Sequence, residues 1–186
     1  EVVDKMVLAL TTQYGNPSSI HKKGIEVERE IKEIRRNIAR SLGAKENEIY
    51  FTSGGTECNN TIIRSVARLN KKTKKHIIST VIEHPSVLDT LKDLESEGFE
   101  VTYLPVDKDG KISIEDLKNA IKKETILVSI MHVNNEIGTI QPIEEIGKYL
   151  KSLDEKIYLH VDAVQSYAKI KFRPSRYNID FMSVSG

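Results

Sequence analysis

The chain has 186 residues, 39% of them hydrophobic and 30% charged, and its formal net charge at pH 7 is +1. This composition suits one folded domain with a substantial core and excludes a disordered chain. Balanced charge gives no electrostatic case for nucleic acid or an anionic membrane, and no apolar run is long enough to span a bilayer. The single cysteine, Cys58, cannot form an internal disulfide, so we expect a reducing cytoplasm.

The first third of the chain predicts helices, a strand and a glycine turn. Residues 1–10 are helical in pattern, and residues 25–42 repeat Ile and Leu at three- and four-residue spacing, with Gly43 placed to end that helix. "EIYFTSG" (48–54) predicts a strand that enters a glycine turn, and residues 56–70 form the helix that leaves it.

The rest of the chain alternates strands with helices. The basic run 70–76 is typical of a solvated loop. Strands are predicted at 76–80, 100–106, 125–133, 157–162 and 178–185, and helices at 84–98, 113–123 and 142–152.

This alternation predicts an α/β fold with a mainly parallel sheet and helices on both faces. No interdomain linker interrupts residues 1–186, so we treat them as one domain. The chain starts in a helix that has no cap and stops just after an apolar strand, so we expect it to be part of a larger protein. Ligands of such sheets bind at the carboxyl ends of the strands.

Polar residues collect at those strand ends. "TSGGTE" (52–57) places glycines and Thr56 at a helix N-terminus, where free amides and the helix dipole favour an anion such as phosphate. A plain capping turn is the alternative. His84 follows the next strand, where a lone histidine is usually a helix cap or a surface residue. Asn134 and Asn135 follow another, either as turn formers or as ligand contacts.

Further polar residues follow the last two predicted strands. His160 and Asp162 lie on one face of a strand and could suggest a metal pair, but no third ligand has a diagnostic spacing, so we predict no metal. Gln165 lies one turn later, and Ser185 ends the last strand. Together, a phosphate cradle, an imidazole, an amide and a carboxylate suit a flat, phosphorylated, nitrogen-containing ring. Pyridoxal 5'-phosphate (PLP) fits best.

Six ordered motifs carry a family resemblance: "GNPSSIHKKG", "FTSGGTECNN", "EHPSVLDTL", "MHVNNEIGTIQPI", "HVDAVQS" and "DFMSVSG". They resemble the cysteine desulfurases of the NifS/IscS type, which are fold-type I PLP enzymes of the class V aminotransferase group. The resemblance covers essentially the whole chain and implies that residues 1–186 are part of the PLP-binding large domain.

The resemblance implies a role for each candidate residue. Gly55, Thr56 and Ser185 should hold the cofactor phosphate, and Asp162 should pair with the ring nitrogen and keep it protonated. His84 should stack on the ring and act in proton transfer.

Two more side chains receive roles by resemblance. Gln165 should reach the phenolic oxygen of the cofactor, and Asn135 should lie near that oxygen and the substrate carboxylate. Asn134 is left as structural. The implied reaction converts L-cysteine to L-alanine and passes persulfide sulfur to an acceptor such as an iron–sulfur scaffold protein. A homodimer is implied as well.

The family's cofactor-binding lysine and nucleophilic cysteine are not among these residues, which alone should not sustain turnover. Cys58 at the start of the phosphate-site helix could be a nucleophile, but a small core residue is the competing interpretation. Two enzymes of the same group, a selenocysteine lyase and an aminotransferase, remain alternatives. A non-catalytic iron–sulfur assembly scaffold is a third.

Overall fold

The computed structural model describes residues 1–70 and 74–185, which fold as two compact units that divide after Tyr50. Residues 71–73, inside the basic run, lie outside the described part of the chain, and the loop prediction there stays a prediction. Among the described helices, none combines the length and the apolar character needed to cross a membrane.

The first unit consists of helices. They are α1 (Val2–Thr11), α2 (Lys22–Leu42) and a short 3-10 helix (Glu46–Glu48). Gly43 ends α2 with a left-handed backbone at φ 66°, as the sequence predicts. Arg36 of α2 forms an ion pair with Glu46 at 2.8 Å, which ties the 3-10 helix to α2.

The strand predicted at 48–54 is wrong. The segment leaves the 3-10 helix at Glu48 and continues without regular structure to the start of the next helix. Tyr50 and Phe51 are 80% and 51% exposed. Aromatic residues such as these favour β-strands. A strand also needs a neighbouring strand to pair with, and none of the described strands pairs with this segment.

The second unit is built on a five-stranded sheet in the order β2-β1-β3-β4-β5, and every neighbouring pair is parallel. Its strands are β1 (His76–Thr80), β2 (Glu100–Leu104), β3 (Thr125–Met131), β4 (Tyr158–Asp162) and β5 (Phe181–Ser183). Its helices are α3 (Gly55–Asn70), α4 (Pro85–Ser96), α5 (Ile114–Ala120), α6 (Ile143–Ser152) and a 3-10 helix (Pro174–Tyr177).

Helices cover both faces of this sheet, which confirms the predicted α/β class. Successive strand residues point to opposite faces, so Ile77 packs with α3 and α4 whereas Ile78 packs with α5 and α6. Strands β1 and β3 are buried along their whole length because both faces of the sheet are covered. The carboxyl ends of β1, β3, β4 and β5 therefore meet at one rim of a rigid layer.

Helix α6 and the 3-10 helix approach each other closely at Gly147. A Cβ atom on Gly147 would lie 1.8 Å from the main-chain oxygen of Tyr177. Only glycine fits there, since a carbonyl oxygen cannot move without moving the backbone.

We expect Gly147→Ala to lower the free energy of unfolding by about 3 kcal/mol, because the new methyl group must displace the Tyr177 backbone. Chemical denaturation measures this change. Lys151→Ala, at an exposed position of the same helix, is the matched control and should be nearly neutral. A Gly147→Ala protein as stable as the wild type would contradict the close approach.

Candidate active site

A cavity of about 260 Å³ opens at the carboxyl rim of the sheet, bounded by the start of α3 and by the segments that follow β1, β3, β4 and β5. It is lined by all seven residues to which the resemblance assigns a cofactor-binding role: Gly55, Thr56, His84, Asn135, Asp162, Gln165 and Ser185. Residues more than a hundred positions apart thus meet at one place, because parallel strands direct the loops that follow them to the same edge.

The start of α3 forms one wall. The amide of Cys58 donates to the Gly54 carbonyl at 3.1 Å, so the amides of Gly55 and Thr56 fall in the first turn, where helix geometry provides no acceptor. The Ser53 amide donates to the Glu57 carboxylate, which lowers the pKa of Glu57 and fixes the turn. The wall therefore offers free N–H groups and a positive dipole end to an anion.

The turn and the end of β4 are in close contact. A Cβ atom on Gly55 would lie 3.1 Å from Cγ2 of Val164, which also lines the cavity. Any larger residue at position 55 would push this wall inward. The glycine thus keeps the helix N-terminus close to the strand that carries Asp162.

Asp162, at the end of β4, also lines the cavity. It is 7% exposed, and its Oδ2 accepts from Nδ2 of Asn59 at 2.8 Å while its Oδ1 accepts from the Val164 amide at 3.1 Å. Within the described residues it has no basic partner at ion-pair distance. A carboxylate can accept about four hydrogen bonds, so capacity remains for a protonated nitrogen. A buried anion without a cation is also costly, which favours a cationic ligand.

His84 is both a cavity residue and the N-cap of α4. Its Nδ1 accepts from the Ser86 amide at 3.1 Å and lies 2.8 Å from the Ser86 hydroxyl. An amide can only donate, so Nδ1 carries a lone pair, and the proton of the neutral ring is on Nε2. The helix cap that the sequence left as an alternative is therefore present together with the cavity position.

Two buried residues that the sequence reasoning missed join these groups. Asn59 is 1% exposed and donates from Nδ2 to Asp162 and, at 2.9 Å, to the hydroxyl of Ser86. Both residues line the cavity. Asn59 lies three positions after Thr56, so the helical period could have placed it on the same face. Ser86 carries no comparable sequence signal.

The two adjacent asparagines after β3 have different roles. Oδ1 of Asn134 accepts from the amides of Glu136 and Ile137, both at 2.9 Å, and its Nδ2 donates to the Ile82 carbonyl at 3.0 Å. It therefore shapes the turn, as predicted. Asn135 lines the cavity instead.

The metal alternative finds no support at His160. Its two ring nitrogens lie 2.8 Å from the Ser129 hydroxyl and 3.0 Å from that of Ser183, and burial lowers its pKa to about 4. No cluster of metal-binding side chains occurs in residues 1–70 and 74–185. Cys58 is half-buried and does not line the cavity, which favours its interpretation as a packing residue.

Glu83 lies directly before His84 and is buried. Its Oε1 accepts from Thr80 at 2.8 Å and from the Met131 amide at 3.0 Å, whereas Oε2 finds no partner among the described residues. Burial, helped by the charge of Asp162, raises the pKa of Glu83 to about 8. Glu83 is therefore a neutral acid at pH 7 and limits the negative charge beside the cavity.

The whole chain, residues 1–186, matches the family model Aminotransferase class-V, and the chain belongs to this family. It is similar to the protein named cysteine desulfurase IscS from Methanosarcina thermophila, with 52% identity over 100% of this chain and 46% of that protein. The mitochondrial cysteine desulfurase of Candida albicans is 52% identical over 99% of this chain and 38% of its own length. The chain thus spans less than half the length of these curated relatives.

Solved structures agree with these matches. A NifS-like protein superimposes with a TM-score of 0.96 at 42% identity, covering 99% of this chain and 50% of that chain. A structure of SspA in complex with cysteine gives a TM-score of 0.95 at 42% identity, with 100% of this chain and 53% of that one covered. The neighbours confirm the expected fold-type I architecture.

PLP is the cofactor of this family, and the cavity residues fit it. PLP carries a phosphate dianion at one end and a basic ring nitrogen at the other. The free amides at Gly55 and Thr56 suit the phosphate. The buried Asp162 carboxylate, which has no basic partner among the described residues, suits the ring nitrogen.

The ionisation of Glu83 should make stability depend on pH. The unfolded chain releases this proton near pH 4.5 and the folded chain near pH 8, so the stability present at low pH is lost as pH rises through this window. Each pH unit costs on the order of 1 kcal/mol. Glu83→Gln has no ionisable group at this position. Its free energy of unfolding should therefore rise steadily relative to that of the wild type from pH 5 to pH 8.

Denaturant titrations at pH 5, 6, 7 and 8 measure this slope. Glu145→Gln removes an exposed carboxylate and serves as the control whose pH dependence should match the wild type. Parallel curves for Glu83→Gln and the wild type would show that Glu83 is already ionised in the folded state.

Proposed function

We propose that this chain is the cofactor-binding part of a PLP-dependent cysteine desulfurase, which converts L-cysteine to L-alanine and passes persulfide sulfur to an acceptor. One observation carries the proposal: a buried carboxylate, with no basic partner among the described residues, lines the same cavity as a helix N-terminus. This arrangement suits a ligand that is cationic at one end and a dianion at the other. The similarity to cysteine desulfurases supports the choice of reaction.

Thr56, Gly55 and Ser185 would bind the phosphate. The two amides at the start of α3 and the hydroxyls of Thr56 and Ser185 are donors at the same cavity. Charge-assisted hydrogen bonds of this kind are about twice as strong as neutral ones. They would fix the position of the ring relative to the sheet.

Asp162 would hold the proton on the ring nitrogen by accepting its hydrogen bond. When bound, the ring would supply an acceptor for the electron pair released at the substrate carbon. His84 would stack on the ring. Because Nδ1 is bound by Ser86, any proton that His84 exchanges with the substrate would pass through Nε2.

Asn135 and Gln165 would orient the reacting side of the ligand with their carboxamides, which can donate to a phenolic oxygen or to a carboxylate. The described residues that line the cavity include neither a lysine nor a cysteine. The covalent anchor of the cofactor and the sulfur nucleophile would therefore come from residues other than these. The chain alone should not turn over.

Three further parts of the proposal rest on the family resemblance and on composition. The sulfur acceptor would be a protein such as an iron–sulfur scaffold, and the enzyme would work as a homodimer. The single cysteine supports a reducing, cytoplasmic location.

The phosphate assignment predicts a selective loss of affinity. Thr56→Val keeps the size of the side chain and removes its hydroxyl, which should weaken PLP binding by the full-length protein roughly tenfold. Affinity for pyridoxal, which has no phosphate, should stay unchanged. Fluorescence titration with both ligands measures this difference, and Thr61→Val at an exposed position of α3 is the matched control. Equal losses for both ligands would contradict the assignment.

The reaction is tested with the full-length protein, PLP, L-cysteine and a thiol reductant. We expect alanine and sulfide in equal amounts, and we expect Asp162→Asn to lower kcat/KM at least tenfold because the ring nitrogen loses its anionic partner. Asp154→Asn, an exposed control, should keep activity.

Other outcomes would identify the alternatives. Amino transfer without sulfide would indicate an aminotransferase, and a strong preference for selenocysteine would indicate a lyase. Failure to bind PLP would favour the assembly scaffold.

A further inference from the structure

A continuous chain of hydrogen bonds lies at the cavity, and the direction of each link follows from its partners. It runs from Asp162 through Asn59 and Ser86 to His84, with separations of 2.8, 2.9 and 2.8 Å. Asn59 and Ser86 are 1% and 8% exposed, so water does not compete for the first two bonds, whereas the third is partly buried and ends at His84, which is exposed.

The carboxylate sets the orientation of Asn59. An ionised carboxylate can only accept, so the group facing Asp162 must be the NH2 of Asn59 and not its carbonyl oxygen. A flipped amide would place two acceptors against each other. The unbonded Oδ1, which has no partner in the described part of the chain, is the cost of this orientation.

Asn59 in turn sets the direction of the Ser86 hydroxyl. The second N–H of the same NH2 group points at Oγ of Ser86, so this oxygen acts as acceptor there. Its own hydrogen is then free to be donated, and Nδ1 of His84 lies 2.8 Å away. The Ser86 amide donates to the same Nδ1 at 3.1 Å.

We propose that Asn59 and Ser86 are positioning residues through which the Asp162 carboxylate directs the Ser86 hydroxyl onto Nδ1 of His84, where it joins the Ser86 amide in holding the Nε2–H form and fixes the ring at the cavity. One anion would then orient two groups: the ring nitrogen of the cofactor directly and the imidazole through the relay. The catalytic use of this relay rests on the proposed function. The hydrogen-bond chain itself belongs to the protein without ligand.

Nitrogen-15 NMR of the cofactor-free, full-length protein tests the relay at a pH where the His84 ring is neutral. We expect a protonated Nε2 and an Nδ1 resonance displaced upfield by the hydrogen bonds it accepts. Ser86→Ala removes the hydroxyl and keeps the backbone donor that caps α4, so the fold should survive. Its Nδ1 resonance should move downfield, toward that of an unbonded nitrogen.

Asn59→Leu keeps the volume of the side chain and leaves Ser86 intact, yet it should move the same His84 resonance in the same direction. Ser86→Thr retains the hydroxyl and should restore the wild-type position. Ser96→Ala, a matched change on the exposed side of α4, should have no effect.

Two results would overturn the relay: a proton on Nδ1 in the wild-type protein, or an Nδ1 resonance unmoved by Ser86→Ala. The first needs no variant, so loss of folding in Asn59→Leu cannot hide the answer. Neither measurement uses cofactor or substrate. Failure of the relay and failure of desulfurase activity are therefore separate outcomes.

Discussion

The buried carboxylate of Asp162 is the constraint on which the site depends. It ends an inner strand of a sheet covered on both faces and is 7% exposed, and among the described residues only the Val164 amide and the Asn59 carboxamide hydrogen-bond to it. Such a group raises the free energy of the folded chain unless something positive approaches it. The site is therefore preorganised for a cationic ligand, because the positive charge that compensates Asp162 must come from outside these residues.

The same carboxylate explains features that look unrelated in sequence. The side-chain carbonyl oxygen of Asn59 has no hydrogen-bond partner among the described residues, because the NH2 group of this side chain is turned toward the Asp162 carboxylate. Glu83 stays neutral next to His84 because burial, with a smaller contribution from Asp162, opposes a second negative charge. Asp162 therefore influences charge and hydrogen-bond direction at the ends of two strands, β1 and β4, and at the starts of two helices, α3 and α4.

Much of the fold and of the candidate site could be predicted from the amino-acid sequence. The alternation of apolar runs with amphipathic helices was sufficient for the parallel α/β sheet, and polar residues after several of the strands marked the rim where the cavity lies. The strand at 48–54 failed because local β-propensity cannot reveal whether a pairing partner is present. Asn59 and Ser86 were missed because their importance comes from three-dimensional contacts between distant segments.

The row of side chains across the middle of the sheet has an evolutionary consequence. His160 satisfies both ring nitrogens with the hydroxyls of Ser129 on one neighbouring strand and Ser183 on the other. An apolar residue at any one of these three positions would leave a buried polar group without its hydrogen-bond partner, where no water can replace it. Drift at these positions should therefore be concerted, with histidine and both serines retained or exchanged as a set, even though none of them touches the cavity.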